Sequence, residues 1–115
     1  MVKIGPNGFE FDNITVHTTT LTRSTTSMTE NKKRIKINID YSSSNLTNTP
    51  HIITINNSKI NADDNIIANI VSNGAGHAEI FLNTFHILDG SAKLVLKALG
   101  SNITNTVNIV ILVIT

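Results

Sequence analysis

Four histidines, His17, His51, His77 and His86, are the first residues whose chemistry stands out. His77 and Glu79 are two positions apart, so on a strand both point to one face. Such a pair seeds a metal site only where a third and fourth ligand converge on it, and no second pair at a ligand spacing occurs. These histidines are therefore read as strand residues without a ligand. Asp63-Asp64, flanked by Asn61 and Asn65, offers oxygen ligands but lacks the calcium-loop spacing and its closing glutamate, so it reads as a turn. Gly74-Ala75-Gly76 is too short for a nucleotide fingerprint, and no nucleophile elbow or phosphate loop is present. The chain has no cysteine, which removes disulfides, thiolate metal sites and thiol catalysis. No catalytic residue, no cofactor and no metal is expected.

Charge excludes another class. The 115 residues carry a formal net charge of +1, which gives no long-range pull on a phosphate backbone. Lys32-Lys33-Arg34 with Lys36 is the one basic cluster, but Glu30 and Asp40 flank it and no aromatic residue interleaves. Basic side chains on a strand discourage edge-to-edge aggregation, and that role is preferred to nucleic-acid binding. Tryptophan is absent and aromatics make up 4%, which leaves little for stacking bases or sugars. Neither nucleic acid nor membrane is an expected partner. The longest apolar run, Ile109 to Ile114, is far short of the roughly 20 residues a membrane helix needs. No apolar segment follows a basic start, so no secretory signal is read and folding in the cytoplasm is expected. Four matches to the glycosylation sequon, such as Asn45-Leu46-Thr47, are read as chance in a chain rich in Asn and Thr.

Strands must carry whatever this chain does. Ile, Val and Thr supply about a third of the residues, and β-branched side chains suit a pleated, half-buried surface. Residues 1–13 read as an arm: Pro6-Asn7-Gly8 is a turn, and Phe9 and Phe11 alternate with Glu10 and Asp12. From residue 14 to 115, strand-like runs recur between turn signals as one domain. Ile14 to Thr22 is extended, and Arg23 to Asn31 is a polar loop. Ile35, Ile37, Ile39 and Tyr41 share one strand face. His51 to Ile55 is a strand, with a hairpin turn at Asn56-Asn57-Ser58. Ile66 to Ser72 follows, then Ile80 and Leu82 on one face. Asp89-Gly90 turns the chain into Ala92, Leu94, Leu96 and Ala98, and Ile103 to Thr115 is the last strand. No window has a helical period. The expectation is an all-β antiparallel sandwich of seven to eight strands, with a barrel as the competing architecture.

The stretch from Asn73 to the end adds a resemblance. Asn-Gly-Ala-Gly-His-Ala-Glu-Ile-Phe-Leu leads to Leu88-Asp89-Gly90-Ser91-Ala92-Lys93-Leu94-Val95-Leu96-Lys97-Ala98, then Asn102 and a long apolar strand. This resembles the final three strands of immunoglobulin-like domains of bacterial surface proteins and bacteriophage virions. Ala92 and Leu94 stand where antibody-type domains have a corner tyrosine and a core cysteine. The resemblance implies an immunoglobulin-like sandwich with a structural or adhesive role, and it transfers no site residue.

The last strand reads Val-Asn-Ile-Val-Ile-Leu-Val-Ile from residue 107. Val107, Ile109, Ile111 and Val113 face one way, while Val110, Leu112 and Ile114 face the other. A sandwich strand needs only one apolar face, and a second marks an interface. Val95 and Leu99 are expected to extend that outer face. Phe9 and Phe11 of the arm are expected to cover it or to reach a neighbour. The interface residues expected from sequence are thus Phe9, Phe11, Val95, Leu99, Val110, Leu112 and Ile114. The reading that follows is a non-enzymatic bacteriophage virion protein, assembled in the host cytoplasm. It would be an auxiliary or decoration capsid protein, or a small head-fibre or tail component. Its partners would be other virion proteins and a second copy of itself. The alternative is an adhesin or carbohydrate-binding module of a bacterial surface protein.

Overall fold

A computed structural model describes residues 2–5, 8–11, 18–72 and 79–115, the first two stretches and residue 72 as backbone only. It is all-β, with no helix among the described residues. The strands are β1 (Val2–Gly5), β2 (Gly8–Phe11), β3 (Thr18–Thr22), β4 (Ser27–Thr29) and β5 (Arg34–Asp40). They continue as β6 (His51–Asn56), β7 (Asn65–Ser72), β8 (Ile80–Leu88), β9 (Ser91–Ala98) and β10 (Thr106–Ile114). β1 and β2 pair as an antiparallel two-stranded sheet, with Val2 opposite Phe11 and Ile4 opposite Phe9. The other eight form two four-stranded sheets. The first has the order β3-β5-β10-β7 and the second β4-β6-β9-β8.

Alternation builds the core between these sheets. Ile35, Ile37 and Ile39 of β5, and Val107, Ile109, Ile111 and Val113 of β10, are buried from the first sheet. Ile53 and Ile55 of β6, with Ala92, Leu94, Leu96 and Ala98 of β9, meet them from the second. Each fully buried Ile or Leu contributes roughly 1.5–3 kcal/mol through removal of its surface from water. A one-residue register slip would turn all of these side chains outward, so the pattern fixes the pairing.

The connectivity differs from the sequence expectation at its C-terminal end. From β3 to β10 every link crosses between the sheets except the β8–β9 hairpin. In an immunoglobulin domain the last two strands are neighbours in one sheet. Here β9 and β10 lie in opposite sheets. β3 and β4 also add parallel edges, beside β5 and β6 respectively.

Three local expectations are corrected. The loop expected at 23–31 contains β4, because Met28 is buried and Ser27 pairs with Thr54. The hairpin expected at 56–58 is a crossover, with Asn57 buried and β7 in the other sheet. The last strand begins at Thr106. Ile103 instead makes an isolated bridge to Leu46, Leu46 N donating to Ile103 O at 3.0 Å and Ile103 N to Leu46 O at 2.9 Å. At the β8–β9 turn, Gly90 has a φ of 84°, a left-handed conformation that glycine adopts without strain.

Candidate functional site

Of the seven residues expected to form an interface, the five whose side chains are described divide between the two sheets. Val95 and Leu99 belong to β9 and its end, in the second sheet. Val110, Leu112 and Ile114 belong to β10, in the first. Both strands bury their alternate residues in the one core, so their remaining side chains point away from each other. The expected single apolar face is therefore two faces, on opposite sides of the sandwich. The side chains of Phe9 and Phe11 lie outside the described residues.

On the first sheet's outer face, Leu112 stands between Ile67 of β7 and Arg34 of β5. Val110 stands between Asn69 and Lys36. Leu112 and Val110 are half-buried, and Ile67 and Ile114 are exposed. A bulge opposite Asn108 and Ile109 leaves Val71 64% exposed, beside a shallow hollow reached by Thr18, Lys36 and Val110. The expected basic cluster is divided. Lys32 lies in the β4–β5 link with its ammonium 3.4 Å from Glu30, while Arg34 and Lys36 border the apolar stripe. Arg and Lys combine long apolar stems with charged heads, a composition suited to the rim of a docking surface.

The second sheet's outer face was not foreseen as a whole. Among the described residues it carries five of the eight exposed large apolar side chains: Ile52, Phe81, Phe85, Leu88 and Leu99. Ile52 pairs with Val95, Phe81 with Lys97 and Phe85 with Lys93. The Lys97 ammonium sits 5.5 Å from the Phe81 ring centroid, a cation–π distance. Lys93 Nζ turns to Thr54 Oγ1 at 3.2 Å. Sequence reading missed this face because Phe81 and Phe85 alternate with partly apolar inward residues. Only the register shows that they flank Val95.

The histidines separate as well. His17 and His77 lie outside the described residues. His86 is exposed at a bulge with a φ of 52°, tolerated by histidine more than by most side chains. His51 is buried at the start of β6, where Nδ1 lies 2.8 Å from Tyr41 Oη and Nε2 2.6 Å from Thr25 O. Burial pushes the His51 imidazole below its ordinary value. The Thr25 carbonyl opposes that shift and the Arg23 charge adds to it. Asn57 is the second buried polar side chain. Its amide donates to Lys32 O and accepts from Lys59 N, and its backbone N–H donates to Gly90 O. Asp63 and Asp64 occupy a loop where Asp64 accepts from Asn61 N, the bonding of a turn. Among the described residues no group of three or more His, Cys, Asp or Glu is placed to hold a metal.

The sandwich offers two sheet faces with exposed apolar side chains and basic neighbours. The described residues that hydrogen-bond in the interior serve to hold loops. No protein-family model matches the chain, and neither a curated protein nor a solved structure is found similar to it.

Proposed function

We propose that the chain is a non-enzymatic structural protein of a bacteriophage virion. In this reading it is an auxiliary or decoration capsid protein, or a small head-fibre or tail component. It acts by shape, as a rigid sandwich that docks through its N-terminal residues 1–13 and the outer face of β10. The observation that carries the reading is the apolar stripe of Ile67, Val110, Leu112 and Ile114 on the outer side of a sheet whose inner side already fills the core. Exposed apolar surface of this kind is retained where a partner covers it. The likeness to immunoglobulin-like virion and surface domains supports the reading only through the two-sheet architecture, since β9 and β10 are not sheet neighbours.

The test is composition of the particle. Purified virions from the genome that encodes the chain are expected to contain it in fixed proportion to the major capsid or tail protein. Finding it only within a longer cell-surface polypeptide would exclude the virion reading. A second reading, an adhesin or carbohydrate-binding module, is favoured by exposed Phe81 and Phe85 beside Lys97 and Lys93 on the second sheet. Loss of glycan binding on Phe85→Ala, with folding intact, would establish that alternative.

A further inference from the structure

We propose that Tyr41, His51 and Thr25 form an acid-sensitive latch on the β3–β4 crossover, closed while His51 is neutral and opened when its imidazole takes a second proton. Thr25 contributes a carbonyl oxygen, which only accepts, so His51 Nε2 carries the hydrogen and donates to it at 2.6 Å. In a neutral ring the other nitrogen is then an acceptor, and the Tyr41 hydroxyl donates to Nδ1 at 2.8 Å. The ring pair meets edge-on, with centroids 5.7 Å apart. His51 is 1% exposed and Tyr41 is fully buried, so water does not substitute for the bond between them, while the bond to Thr25 O is part-buried.

The three residues come from three places. Tyr41 follows β5 in the first sheet, His51 opens β6 in the second, and Thr25 lies in the link that carries the chain from one sheet edge to the other. That link is further fixed by Thr54 N donating to Thr26 O at 2.9 Å and Thr25 N donating to Thr22 O at 3.0 Å.

A proton on Nδ1 makes both ring nitrogens donors. The Tyr41 oxygen then has to accept, and its own hydrogen is left without a partner in a buried position. Among the described residues the imidazolium also lacks a neutralising neighbour. Arg23, in the same link, is the charged group that acts on it, and it has the same sign. Leu96, opposite on β9, and Ser27, Met28 and Thr29 of β4 bring no charge. Asp40, next to Tyr41, belongs to the outward set of β5 and accepts from Ser42 N at 2.9 Å. The depressed proton affinity of the buried imidazole agrees with this geometry. Opening the crossover loosens β3 and β4, the edge strands nearest the N-terminal arm in sequence. Control of the arm rests on the docking reading above, whereas the latch itself does not.

The experiment uses the full chain. Imidazole ¹⁵N NMR reads the His51 tautomer and its titration, and amide exchange reads Thr22, Thr25 and Thr54 at about pH 7.5 and about pH 5. The Nε2–H tautomer is expected at the higher pH. On acidification, protection at these amides, corrected for intrinsic rates, is expected to fall about tenfold relative to Leu94 and Leu96 in β9. His51→Gln, which cannot titrate, is expected to lose that pH dependence. An Nδ1–H tautomer, a His51 midpoint at or above the ordinary imidazole value, or unchanged protection in the wild-type chain overturns the latch. If His51→Gln does not fold, the wild-type tautomer, midpoint and exchange decide the question. Particle composition, which tests the virion reading, is unaffected by any of these outcomes.

Discussion

Val95 and Leu112 point in opposite directions, one from each outer face of the sandwich, although their strands share one core. Two separate surfaces follow from that relationship, and they can be perturbed independently. Val95→Lys and Leu112→Lys are both expected to leave the fold intact, because each position is half-buried on an outer face. Leu112→Lys is expected to weaken docking, whereas Val95→Lys is not. Light scattering and particle-binding assays on both variants check this. Equal losses from the two would show that the faces act as one.

Asn57 knots one end of the sandwich, since its side chain reaches Lys32 O and Lys59 N while its backbone reaches Gly90 O. Asn57→Ala removes the side-chain partner of Lys32 O and Lys59 N, both in part-buried bonds, and is expected to destabilise by about 1 kcal/mol. Asn56→Ala, at an exposed neighbouring position, is expected to stay within about 0.5 kcal/mol of wild type. Urea unfolding of the pair measures the contrast.

Gly90 and Gly100 separate backbone strain from crowding. A Cβ at either would meet nothing within 4 Å, but only Gly90 has a positive φ, at 84°. Gly90→Ala is therefore expected to cost about 1 kcal/mol from conformation alone. Gly100→Ala is expected to be neutral or slightly stabilising, because it restricts the unfolded chain. Equal thermal midpoints for the two variants would contradict this account of the turn.

Tyr41 predicts an alkaline limit to stability. Burial pushes its phenol well above the ordinary tyrosine value, and the Arg23 charge only partly offsets that. A group whose folded value is raised contributes fully below the unfolded value, near 10, and loses that contribution as pH rises above it. The urea midpoint of the wild-type chain is expected to fall above about pH 10. Tyr41→Phe, less stable at neutral pH, is expected to show a shallower alkaline decline. Parallel pH profiles would remove the phenol as the cause.

Much of the architecture was legible in period-two alternation. Ile35, Ile37, Ile39, Leu94, Leu96, Ile109 and Ile111 are all buried as their spacing predicts. Alternation states which face of a strand is wet, but not which sheet the strand joins. Alternation alone therefore puts Val95 on the side of Leu112, whereas the sheet order puts them on opposite faces. The β4 edge was hidden because three residues with one apolar member, Met28, give no period. Asn57 and His51 were invisible as anchors for another reason. Their partners are backbone carbonyls 25 and 26 residues away, and no side-chain motif marks such a partner.

Docking through the outer face of β10 is tested most directly by quantitative mass spectrometry of purified particles assembled with the wild-type chain and with Leu112→Lys. The wild-type chain is expected in the particles at fixed stoichiometry, and the variant is expected to remain folded and soluble in the lysate but depleted from them. Particles that lack the wild-type chain, or that hold both forms equally, would contradict docking through the outer face of β10.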